Sequence, residues 1–157
     1  FVEDVAVESI IVVRESADNF SEELGSRLHL DLQELPAVAI DRVEMGRVIQ
    51  NLLLNAREAI GPEGTVEVRT RPIDGAVELL VRDDGRGMDK EYMENGLFQP
   101  FRTTKSDGLG IGLFQCKKIV EAHRGTIAVE SMSGKGTTVR VTLPCTADGR
   151  GSDEVSA

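Results

Sequence analysis

From Val5 to about Leu24, apolar residues fall at Val5, Ile10, Val13, Ala17, Phe20 and Leu24, an imperfect helical spacing that predicts a first helix. Leu28, Leu30 and Leu32 then alternate with polar residues through Arg27–Gln33, as in a strand, and Pro36 ends the run. Val38-Ala39-Ile40 reads as a second, short strand. Asp41 is placed to cap the clearest helix of the chain, which runs to Ile60 and is stopped by Gly61-Pro62-Glu63-Gly64. Thr65–Arg71 and Ala76–Asp83 read as two antiparallel strands around Asp74-Gly75. The Gly-rich stretch Gly85–Gly112 predicts little regular structure beyond a helical turn near Lys90–Glu94. A second strong helix is expected from about Leu109 to His123. Thr126–Ser131 and Thr137–Leu143 close the pattern as a hairpin around Ser133-Gly134-Lys135-Gly136. Helices and strands in this mixed order predict an α+β fold, a two-layer α/β sandwich. Its sheet would be mixed and mostly antiparallel, with helices on one face. Residues 1–144 are expected to form this one domain, and 145–157, rich in Gly, Asp and Ser, a disordered tail.

Composition narrows the function classes. The chain has 157 residues, 40% hydrophobic and 29% charged, with no Trp and 4% aromatics, so its core must rest on Val, Ile and Leu. A net charge of -9 argues against nucleic acid as a partner, because phosphate neutralisation needs Lys and Arg. No apolar run approaches the about 18 residues needed to span a bilayer, and Phe1-Val2-Glu3-Asp4 lacks a basic leader. Cys116 and Cys145 lie far apart, without metal-ligand spacing, which fits a reducing cytoplasm.

Four segments carry candidate chemistry. On the capped helix, Val48, Ile49, Leu52, Leu53, Ala56, Ala59 and Ile60 form an apolar stripe, and Arg47, Asn51, Asn55 and Glu58 share another face. Two amides one turn apart offer oxygens to a hard cation such as Mg²⁺, or simply a solvated face. In Ala76–Asp83, period two puts Asp83 on the core side with Val77, Leu79 and Val81, where a carboxylate needs a donor. An exocyclic amine of a ligand would serve; capping of the next turn is the alternative. Gly85 and Gly87 follow and allow close backbone approach. Phe98 and Phe101 are expected to pin a loop to the body, and Thr103, Thr104 and Lys105 after them carry hydroxyls and an ammonium that suit phosphate oxygens. Gly108-Leu109-Gly110-Ile111-Gly112-Leu113 then opens a helix N-terminus, a ready anion site that is neither a Walker loop nor a dinucleotide fingerprint.

Taken in order, these segments resemble the Bergerat-fold ATPase and kinase superfamily, and within it the histidine kinases. Asn51–Ala59 resembles the N box, Asp83–Gly87 the G1 box, Leu97–Lys105 the F box and Gly108–Leu113 the G2 box. Ile119-Val120-Glu121-Ala122-His123 and Gly134-Lys135-Gly136-Thr137-Thr138 resemble the closing segments. The resemblance implies that Asn55 ligates Mg²⁺ with help from Asn51, and that Asp83 accepts a hydrogen bond from the adenine amino group. Glu58, Ala59, Gly85, Gly87, Met88 and Phe98 would complete the ATP site. Thr103, Thr104, Lys105 and the backbone from Gly108 to Leu113 would hold phosphates, and Thr137 would join the base-side network. The short lid after Pro100-Phe101-Arg102-Thr103-Thr104-Lys105 is similar to nitrogen-regulator kinases. Gly108–His123 is similar to kinases of exosortase and exopolysaccharide systems.

One position separates subfamilies. Hydrolysing relatives carry a Glu one turn before the metal-binding Asn; here that position is Asn51, which cannot act as a general base, and Glu58 is at the wrong offset. The resemblance therefore implies ATP-dependent phosphoryl transfer to a protein histidine. A second reading is a conformational ATPase, and a third is a nucleotide-sensing module without catalysis. The chain has no His-Glu-x-x-x-Pro segment, and neither His29 nor His123 is expected to accept phosphate. The phosphoacceptor histidine and its base are thus expected on a separate dimerisation domain, with a response regulator downstream. This fragment alone is expected to be a monomer, in the cytoplasm or as the cytoplasmic part of a membrane-bound sensor. Two departures from the family pattern are Arg124-Gly125 for Gly-Gly and Asp84 for a common Asn.

Overall fold

The computed structural model describes residues 3–4, 6–36, 38–95 and 112–145. The elements run β1 (Glu3–Asp4), α1 (Ala6–Leu24), β2 (Leu28–Leu32), β3 (Ala39–Ile40), α2 (Arg42–Ala59), β4 (Val66–Ile73), β5 (Ala76–Asp83), α3 (Lys90–Asn95), α4 (Gly112–Ala122), β6 (Thr126–Met132) and β7 (Gly136–Pro144). β2, β4, β5, β7 and β6 form a five-stranded sheet in that order, and β1 pairs antiparallel with β3. Only the β2–β4 pair is parallel, so the sheet is mixed and mostly antiparallel, as the strand pattern predicts.

Helices α1, α2 and α4 pack together, and α2 lies on the sheet. The core between these layers is aliphatic. Val48, Leu52 and Leu53 of α2 meet Val66, Val68, Val81 and Val141 of the sheet, all at most 2% exposed. Ala17, Phe20 and Leu24 seal α1 against them. Truncating a fully buried leucine such as Leu53 to Ala costs about 2–5 kcal/mol in a core of this kind.

The opposite sheet face carries no helix among the described elements and is covered by charge. Arg69 pairs with Glu67 at 2.8 Å, Arg71 with Glu78 at 3.0 Å and Arg140 with Glu130 at 2.9 Å. Leu80 sits in the middle of that face, in register between Arg69 and Arg140, and is only 2% exposed. Long arginine stems shield apolar surface while their heads stay in water, which explains a buried leucine on an open face.

The capped helix begins where Asp41 predicts. Asp41 is extended, and its Oδ1 accepts the Glu44 N–H at 3.1 Å. A second tie holds the same turn. The Asp41 N–H donates to His123 Nε2 at 2.9 Å, just past the end of α4, and His123 Nδ1 lies 2.8 Å from the Ile119 carbonyl. Because Nε2 accepts, Nδ1 carries the proton and donates, so His123 is neutral in this arrangement.

Candidate nucleotide-binding site

α2, β5 and β7 converge on a cleft of about 230 Å³. Leu52, Asn55, Ala56 and Ala59 of α2 form one wall, and Val81 and Asp83 of β5 with Thr137 and Val139 of β7 form another. The segment after β5 adds Arg86, Gly87, Met88 and Asp89, α3 adds Tyr92, and the start of α4 adds Gly112 and Leu113.

Asp83 is the key polar group. It is the last residue of β5, 7% exposed, and its side chain shares the buried face with Val77, Leu79 and Val81. Burial pushes its carboxyl above the ordinary aspartate range. Backbone N–H groups of Gly85 and Thr137 counter this, Asp84 adds to it, and Arg86 opposes it. The Gly85 N–H donates to Asp83 Oδ1 at 2.8 Å. Asp83 thus caps the following turn and lines the cleft at once; the two readings of its sequence position are compatible.

The turn after Asp83 is clamped on both sides. Asp84 accepts from the Thr65 N–H at 2.9 Å and the Thr65 hydroxyl at 3.1 Å, so this departure from the family pattern fastens the turn to the start of β4. The Arg86 N–H donates to Ala59 O at 3.0 Å, and its guanidinium to Glu58 O at 3.0 Å, closing the C-terminus of α2. The Gly134 N–H donates to Arg86 O at 2.6 Å from the β6–β7 hairpin. Glycine is needed twice. A Cβ at Gly85 would strike the Ala59 carbonyl oxygen, and Gly87 has φ +69° with its missing Cβ facing the Met132 carbonyl oxygen.

Ser131 joins the clamp to the cleft wall. Its Oγ accepts the Met88 N–H at 2.8 Å, donates to Gly136 O at 3.1 Å and lies 2.7 Å from Thr137 Oγ1. A hydroxyl has one proton. Either hydroxyl can donate across the 2.7 Å contact; when Ser131 turns its proton to Gly136 O, Thr137 donates to Ser131 and the Thr137 oxygen keeps acceptor capacity. Asp83 and Thr137, paired in register on β5 and β7, therefore form an acceptor-rich patch. Such a patch favours a ligand edge bearing N–H donors over one bearing a carbonyl.

Of the residues singled out from sequence, Asn55, Ala59, Asp83, Gly87, Met88, Gly112, Leu113 and Thr137 line the cleft. Gly85 lies behind it, shaping the turn. Asn51 does not reach the cleft wall: it is 6% exposed, and its Nδ2 donates to the buried Cys116 Sγ of α4 at 3.3 Å. Its spacing places it on a polar face, but α4 covers that position. Glu58 also stands off the lining and pairs with Arg57 at 3.9 Å. Arg57 turns to α1, 3.0 Å from Glu23 and over the Phe20 ring. Phe98, Thr103, Thr104, Lys105, Gly108, Leu109, Gly110 and Ile111 lie outside the described residues. Sequence reasoning missed Arg86, Asp89, Tyr92 and Ser131. Ala56, Val81 and Val139 were findable, being one turn or two strand positions from residues already chosen.

A mixed five-stranded sheet under α1, α2 and α4 defines an α/β sandwich, with a cleft between α2 and the inward strand-end Asp83. The profile of the histidine kinase-, DNA gyrase B- and HSP90-like ATPase family matches residues 40–147, and the chain belongs to that family. Its relatives are sensor histidine kinases. It is 38% identical over 148 residues to sensor histidine kinase ZraS of Klebsiella oxytoca, covering 91% of this chain and 31% of that protein. It is 44% identical over 119 residues to the C4-dicarboxylate transport sensor protein DctB of Rhizobium meliloti, covering 74% of this chain and 19% of that protein. The chain thus spans a third or less of the length of these relatives. Among solved structures, the catalytic domain of histidine kinase ThkA superposes with a TM-score of 0.79 at 28% identity, covering 96% of this chain and 99% of that one. ThkA in complex with response regulator TrrA superposes at 0.75 with 26% identity, covering 95% of this chain and 43% of that one.

Proposed function

We propose that this domain binds Mg-ATP and donates the γ-phosphate to a histidine on a separate dimerisation and phosphoacceptor domain, from which it passes to a response regulator. The observation that carries the reading is the buried Asp83 at the cleft wall beside the Thr137 hydroxyl. Their acceptors suit the adenine amino group. Ala56, Ala59, Val81 and Val139 supply the aliphatic surface that a flat base needs.

Asn55 reaches the cleft from α2 and would give its carboxamide oxygen to Mg²⁺. No cluster of three or more His, Cys, Asp or Glu able to hold a metal occurs among the described residues. A single amide oxygen suits a Mg²⁺ that takes its other ligands from phosphates and water. When bound, the ion supplies positive charge against the triphosphate. Thr103, Thr104, Lys105 and the Gly108–Leu113 backbone would hold the same phosphates from the far side. Asn51 would act indirectly, fixing α2 against α4 through Cys116. Transfer would then depend on positioning and charge neutralisation more than on covalent chemistry by the protein.

Asn51 argues against hydrolysis as the role of this domain. The position one turn before Asn55 is Asn51, which cannot take a proton from water and is buried away from the cleft. The parent kinase is proposed to present this domain in the cytoplasm, with dimerisation left to the phosphoacceptor domain. No described helix is long and apolar enough to cross a membrane.

The test is transfer in trans. The chain is incubated with γ-labelled ATP, Mg²⁺ and a helical phosphoacceptor domain from the same kinase. Acid-labile label on that domain's histidine is expected. Steady release of inorganic phosphate with an unlabelled partner would show a hydrolase instead.

A further inference from the structure

One side chain of the cleft has a chemistry that none of the others share. Ala56, Ala59, Val81 and Val139 offer aliphatic surface, and Asp83 and Thr137 offer polar edges. Tyr92, on α3, is the one aromatic side chain lining the cleft among the described residues. Its placement is set locally: Asp89 Oδ1 accepts the Tyr92 N–H at 2.8 Å and fixes where α3 starts, and both residues line the cleft. The chain before them is held by the Met88 N–H on Ser131 Oγ. The ring is thus carried into the cleft on a segment anchored to the same hairpin that holds Thr137.

We infer that Tyr92 is an aromatic wall of the nucleotide cleft and stacks on the purine base, while Asp83 and Thr137 read the base edge. This inference rests on the nucleotide reading above and adds a specificity-determining contact to it. The aliphatic surfaces exclude water from a base but accept any flat apolar group. A tyrosine ring adds the offset-stacked geometry that favours a π system. The two alanines at Ala56 and Ala59, where larger side chains would fill the space, leave room for such a base.

The sequence supplies its own probe. Tyr92 is the single tyrosine of the chain, and there is no Trp, so intrinsic emission comes from Tyr92 with only weak phenylalanine background. The protein is titrated with a non-hydrolysable ATP analogue and Mg²⁺ while tyrosine emission is followed. Absorption by the nucleotide is corrected against free N-acetyl-tyrosinamide, and calorimetry is run in parallel on the same sample. Saturable quenching with the calorimetric midpoint is expected. Tyr92→Phe should keep affinity within about twofold, and Tyr92→Leu should lose about fivefold or more, the weak end of base–aromatic stacking. Both variants are checked by thermal melting, and affinities are compared only between folded proteins. Calorimetric binding with unchanged tyrosine emission, or a folded Tyr92→Leu that binds as the parent does, would overturn the Tyr92 contact and leave the nucleotide reading standing. No heat of binding at all would overturn both.

Discussion

Asp83 does two jobs whose demands conflict. In its proposed role the Asp83 carboxylate accepts from an adenine amine, yet burial disfavours the charge and holds the pKa above the ordinary 3.8. Folding raises this pKa, so between the unfolded and folded values the folded chain binds the extra proton. The contribution of Asp83 to stability is then fully present below the unfolded value and lost as pH rises through the folded one. Two outcomes follow. Asp83→Asn removes a buried charge but leaves one acceptor oxygen where the carboxylate meets the Gly85 and Thr137 N–H groups, so the chain should still fold cooperatively in thermal melting, while nucleotide binding is abolished. A folded Asp83→Asn with undiminished affinity in calorimetry would remove Asp83 from the site. Separately, adenine-nucleotide affinity should fall on acidification at a pH above that expected of an ordinary aspartate, because a protonated carboxyl donates where an acceptor is needed. A flat affinity profile down to pH 4 would contradict that assignment.

The elements show what the sequence carried and what it did not. α2 was legible end to end, because its apolar stripe, its Asp41 cap and its Gly-Pro stop all agree. β5 was legible to the residue, because Val77, Leu79, Val81 and Asp83 keep a period of two to the strand's end even though Leu80 interrupts the polar face. Asn51 was not. Helical spacing gives a residue's face but not which neighbour covers it, and α4, some sixty positions later in the chain, lies over that face. Ser131 was equally silent, a polar residue in an alternating strand whose partners come from the turn after β5 and from β7. His123 teaches the same lesson from the other side. Expected only not to accept phosphate, it joins the end of α4 to the first turn of α2 through two hydrogen bonds. His123→Ala should cost about 1–2 kcal/mol, because the Asp41 N–H loses its acceptor. Urea unfolding should show this as a lower midpoint with unchanged slope. A midpoint within error of the parent would mean water replaces the imidazole at no cost.

At the scale of the whole molecule, two layers divide the work. The helix-covered face of the sheet builds the core and ends in the cleft. The other face is finished by crossed Arg–Glu pairs, with no helix over it among the described elements. Those pairs are partly exposed and individually weak. Their role is to cover Leu80 and keep a broad sheet face polar. The cleft in turn gathers one α2 wall, one sheet wall and the clamped turn after β5, so its shape depends on the fold being complete. We propose that this assembled cleft reads adenine together with Mg²⁺. The most direct measurement is a calorimetric titration with non-hydrolysable ATP and GTP analogues, each with and without Mg²⁺. Binding of the adenine analogue, tightened by Mg²⁺, is expected, with little or none of the guanine one. Equal affinity for both, or heat from neither, would contradict it.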